Sequence, residues 1–74
     1  MNVPVIDMAR TGANIANLRR AAGLSVHDLL IAFGLNSPQA IYKWQTGRAL
    51  PTVDNLIVLA SLLKVRIDDI LITA

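Results

Sequence analysis

The 74-residue chain contains no cysteine and no glutamate, and only one residue each of tryptophan, tyrosine, phenylalanine and histidine. Without cysteine there are no disulfides and no thiolate metal sites, which fits a reducing cytoplasm. A chain this short buries a small core, and domains of this size commonly need a staple or a second subunit. Apolar residues make up 54% of it, so packing, alone or with dimerisation, has to supply the stability. One histidine and no glutamate leave no pair for acid–base catalysis. His27 and Asp28 are adjacent and point apart on a helix, and no Gly-rich phosphate loop or metal-ligand spacing occurs. An enzyme, a cofactor, a metal and a small-molecule ligand are therefore not expected. The longest nearly apolar run, "LIVLASLL" from Leu56 to Leu63, is far short of the roughly 20 residues that cross a bilayer. The N-terminus has no basic segment leading into an apolar one, so no signal peptide is expected. The expected location is cytoplasmic, without a membrane partner.

Positive charge is modest but uneven. The net charge is +2; up to Arg48 there are five basic residues against Asp7 and Asp28, and from Ala49 onward Lys64 and Arg66 face Asp54, Asp68 and Asp69. A positive first two-thirds suits a polyanion as well as it suits a solvated surface.

Helix start and stop signals recur along the chain. Thr11 or Asp7 is placed to cap a first helix running through "NIANLRRAA" to Gly23. Ser25, with Asp28 three residues on, forms a capping-box variant opening a helix over about Val26–Phe33 that ends at Gly34. Ser37 before Pro38 reads as an N-cap with proline at the first helical position, and that helix runs to about Thr46. Thr52 caps a fourth helix over about Val53–Leu63, and a short fifth is predicted over Asp68–Ile72. The expectation is an all-α domain over residues 9–74. The arm of residues 1–8 is left open between disorder, a packed strand-like segment and a dimer contact. Ile15, Leu18, Leu29, Ile41, Trp44, Leu56, Ala60 and Leu63 are the candidate core.

The third helix has two faces when residues are set 100° apart. Ala40, Ile41 and Trp44 share one, whereas Gln39, Tyr42 and Lys43 share the other. Trp44 thus reads as an anchor, and the long hydrogen-bonding side chains as the presented surface. Gln matches the adenine edge, and Lys reaches guanine acceptors or phosphate.

The order of these elements, with "LRRAAGLS" before the second helix, "WQTG" followed by Pro51, and "DNLIVLASLLKVRIDDIL" at the end, resembles the lambda-repressor/Cro-like (Xre-like) helix-turn-helix family, which is largely prokaryotic and viral. The resemblance implies a compact five-helix DNA-binding domain whose third helix enters the major groove. It implies base readers at Ser37, Gln39, Tyr42 and Lys43. It implies phosphate contacts at Ser25, Asn36, the backbone of Ser37 and Arg48, with His27 and Arg19 as further candidates. Val26 stands where the family often has a phosphate-contacting Gln, and His27 beside it is either a substitute or a plain surface histidine. Arg19 and Gln45 replace the usual Arg–Glu pair, which leaves a hydrogen bond or frees Arg19 for phosphate. Lys64 and Arg66 replace a helix-ending glycine and a cap, the turn through "GLNSP" is one residue longer than usual, and Leu30 or Ile31 is expected to be exposed. The implied function is a transcriptional regulator binding double-stranded DNA, as a homodimer on an inverted repeat, with the fourth and fifth helices as the candidate dimer surface. The competing reading is a helix-turn-helix protein-interaction module, such as an antitoxin-type partner binder.

Overall fold

The computed structural model describes residues 3–74; of the arm, Met1 and Asn2 lie outside them. Five helices follow in order: α1 (Met8–Ala21), α2 (Val26–Phe33), α3 (Gln39–Gln45), α4 (Val53–Leu63) and α5 (Ile67–Ile70). Caps made by neighbouring residues set most of the boundaries. Asp7 opens α1, its Oδ1 accepting from the Arg10 N–H at 2.9 Å. At α2 the Ser25 N–H donates to Asp28 Oδ2 (2.8 Å) and the Asp28 N–H to Ser25 Oγ (3.0 Å), a reciprocal capping box. Thr52 Oγ1 accepts from the Asn55 N–H at the start of α4. Lys64 ends α4 at φ 58°, the one non-glycine residue with positive φ among those described. There a side chain stands where glycine would cost less.

Of the two candidate caps of α1 it is Asp7 that serves. Thr11 is not a cap but is fully buried in α1, its Oγ1 donating to the Ile72 carbonyl (3.3 Å) and accepting from the Ile72 N–H (2.9 Å). Two other boundaries differ from the sequence reading. Ser37 does not cap α3. Pro38 holds the cap position with no side-chain cap hydrogen bond, and its carbonyl accepts from the Tyr42 N–H at 3.0 Å. The fifth helix begins and ends earlier than predicted, because the Arg66 N–H binds Asp69 Oδ2 (2.9 Å) and starts the turn at Ile67. The chain is then extended from Leu71. Its last residues pair with the arm, through an antiparallel bridge between Ile6 and Thr73 and hydrogen bonds from Asp7 N–H to the Ile72 carbonyl and from Ala74 N–H to the Val5 carbonyl, both 2.8 Å. Residues 5–7 of the arm thus pair as a strand would, while Val3 and Val5 stay exposed.

The core gathers Ile15, Leu29, Ile41, Trp44, Leu56, Leu59, Ala60, Leu63 and Ile70. Leu18, expected inside, packs half-buried at its margin, because it lies near the end of α1. Two glycines seat α1 against the end of α3. A Cβ on Gly12 would lie 2.5 Å from the Trp44 carbonyl oxygen and 2.7 Å from that of Gln45; one on Gly47, at φ 75°, would lie 2.7 Å from the Met8 carbonyl oxygen. Backbone meets backbone at both places, leaving no room for a side chain.

Candidate nucleic-acid interface

The helix-turn-helix is α2, the turn through Gly34–Pro38, and α3. Ile41 and Trp44 anchor α3 in the core, and Phe33 at the end of α2 meets the Trp44 indole edge-to-face, centroids 5.3 Å apart. Arg19 ties the far end of α3 to α1. Its Nε–H donates to Gln45 Oε1 (2.9 Å) and an NH1 hydrogen to the Leu24 carbonyl (2.8 Å). The guanidinium is half-buried and turned inward, so the freed arginine considered in the sequence reading is instead the hydrogen-bonded one.

Because one face of α3 is held this way, the other is presented to solvent. Gln39, Tyr42, Lys43 and Thr46 recur at helical spacing and line, with Arg48, a shallow cleft of about 380 Å³. The Thr46 hydroxyl donates to the Tyr42 carbonyl at 2.8 Å. The N–H groups of Arg48 and Ala49 both donate to the Lys43 carbonyl (2.9 and 3.3 Å), folding the loop so that Arg48 rejoins the helix it follows. Among the described residues the one ion pair is the exposed Arg66–Asp68 contact at 3.9 Å. Lys43 and Arg48 therefore face the cleft without a carboxylate against them. A second, smaller cleft of about 260 Å³ lies between α2 and α3, lined by Val26, His27, Leu30, Pro38 and Tyr42.

Of the residues singled out in the sequence, the structure brings Gln39, Tyr42, Lys43 and Arg48 into one surface and His27 beside it across Tyr42. Ser25 is exposed at the start of α2 with its hydroxyl engaged in the capping box. Asn36 and Ser37 are exposed on the turn and line neither cleft. Thr46 and Pro38 are not among the contact residues read from the sequence; Leu30 figures there only as an exposed apolar residue beside Ile31, and Val26 only as the loss of a phosphate contact. Thr46 was legible from its spacing, seven residues after Gln39 and four after Tyr42. The other three become a surface only when α2 and α3 are packed together. The Asp28 carboxyl is held below its ordinary range, first by the hydrogen bond from the Ser25 N–H and next by the Ser25 hydroxyl.

A helix anchored on one face and carrying a polar, cationic stripe on the other is the form of a major-groove reader. The helix-turn-helix family model matches residues 15–70, and the chain belongs to this family, in its lambda-repressor/Cro-like form: it is a DNA-binding transcriptional regulator. Among solved structures it is similar to the restriction-modification controller protein C.AhdI from Aeromonas hydrophila, at 25% identity and a TM-score of 0.75, over 86% of this chain and 96% of that one. A comparison with curated protein sequences gives no match.

Proposed function

We propose that the chain reads one half of an inverted repeat through α3 and acts as a homodimer, regulating transcription by occupying that site. The carrying observation is the stripe of Gln39, Tyr42 and Lys43 on the exposed face of a helix whose other face is fixed by Ile41 and Trp44. Gln39 and Lys43 are the base-reading groups, able to meet adenine and guanine edges. Arg48, Ser25, His27 and the exposed turn at Asn36 and Ser37 flank that stripe as phosphate contacts. Dimerisation is supported by α4, where Val53, Ile57 and Val58 are exposed at 71%, 56% and 41%. A net charge of only +2 gives one copy little hold on the phosphate backbone, so two copies on two half-sites suit it better. The resemblance to a restriction-modification controller supports a regulator of comparable size and organisation.

Duplexes selected from a randomised pool should enrich an inverted repeat bound by two chains per duplex in sedimentation. An asymmetric site bound by one chain would overturn the homodimer reading. A second reading, a protein-interaction module, is favoured by Ile31, which is 64% exposed on α2. Lys43→Glu separates the two, since it abolishes operator binding but leaves a protein partner seated on Ile31 in place.

A further inference from the structure

Tyr42 stands as a ridge between two clefts lined by different side chains, one carrying both cations and the other three apolar residues. On one side are Gln39, Lys43, Thr46 and Arg48. On the other the walls are Val26, Leu30 and Pro38, with His27 also in the lining. Val26, Leu30 and Pro38 are only half-buried and Tyr42 is 51% exposed, so the free protein leaves a small patch of carbon surface in water beside its reading stripe. Burying that patch is favourable only against another apolar group. The base edges of the major groove offer hydrogen-bond donors and acceptors throughout, and a single apolar feature, the C5-methyl of thymine.

We infer that this cleft takes the C5-methyl group of a thymine, making Val26, Leu30, Pro38 and the Tyr42 ring determinants of sequence specificity. The inference rests on α3 being the base-reading helix, since Tyr42 belongs to both clefts and a base edge reaching one lies beside the other. It assigns Val26 a direct part in reading the base. It also divides the work of recognition: Gln39 and Lys43 select by hydrogen bonds on one side of the tyrosine, and the cleft selects by shape and apolarity on the other.

The test replaces thymine by uracil, which removes the methyl and leaves the pairing and the groove-edge acceptor unchanged. In a duplex selected by the protein, uracil is placed at each thymine in turn. One position per half-site should weaken binding about fourfold, the value of burying one methyl group. Val26→Gln, which puts a polar side chain into the cleft, should bind the thymine and uracil duplexes equally. Tyr42→Ala, at an exposed position, gives the same readout should Val26→Gln fail to fold. Gln39→Ala should weaken binding yet keep the thymine-to-uracil ratio. The inference is overturned if every thymine tolerates uracil, or if the ratio persists in both cleft variants. A pool that enriches no sequence overturns the reading of α3 itself, and the cleft's role with it.

Discussion

Arg19 illustrates how one side chain joins fold and function. Its two hydrogen bonds, to Gln45 Oε1 and to the Leu24 carbonyl, hold the end of α3 against the start of the α2 segment. Arg19→Ala removes both and leaves their acceptors without a partner, a cost of about 1–3 kcal/mol that a thermal melt will register. DNA affinity measured well below the melting temperature should change little. An unchanged melt with weakened DNA binding would instead make Arg19 a phosphate contact. Asp28 gives a pH signature at the same scale. The hydrogen bonds from Ser25 lower its folded-state pKa below the ordinary value of 3.8, so its contribution to stability is present above that value and disappears as the pH falls through the depressed one. Asp28→Asn should melt earlier than the parent at neutral pH, and the gap should close in strong acid. A gap independent of pH would show that the capping box does not depend on the carboxylate.

The relation between α1 and α3 is set by Gly12. A methyl group there would meet two carbonyl oxygens of the α3 backbone at 2.5 and 2.7 Å, and backbone does not rotate away as a side chain would. Gly12→Ala is expected to cost about 1–3 kcal/mol by overpacking, with a fall of roughly 4–8 °C in melting temperature per kcal/mol for a domain of this size. An unchanged melt would refute the close approach. The same contact shows what the sequence made legible. The caps of α2 and α4, at Ser25 and Thr52, could be read because donor and acceptor lie three residues apart. The two faces of α3 followed from its period, and the family could be read from the order of its signals. Gly12 could not be interpreted, since its constraint comes from carbonyls more than thirty positions away. Thr11 could not be told from Asp7 as the cap for the same reason: its partner is Ile72. A serine before a proline suits a cap or a turn equally, and here Pro38 itself occupies the cap position. The cleft beside Tyr42 has walls from two helices, so neither helix read alone reveals it.

At the scale of the whole molecule, the ends are tied together by Val5–Ala74 and Asp7–Ile72 pairing, and α4 shows Val53, Ile57 and Val58 to solvent. Residues 5–7 are thereby tied to the end of the chain, and the exposed stripe on α4 is the surface proposed to meet a second copy. Ile57→Lys should leave the melt of the monomer nearly unchanged while dissociating the dimer. Its affinity for an inverted repeat should fall by roughly 10²-fold or more, as two linked sites become two independent ones. A variant that still sediments as a dimer would move the interface elsewhere. Regulation by this molecule turns on α3 reading sequence. The most direct measurement repeats the selection from a randomised pool with Gln39→Ala and compares the enriched sites position by position with those of the parent protein. Preference should relax at one base pair in each half-site, with the rest of the motif retained. A uniform loss of binding across all positions, or an unchanged motif, would contradict it.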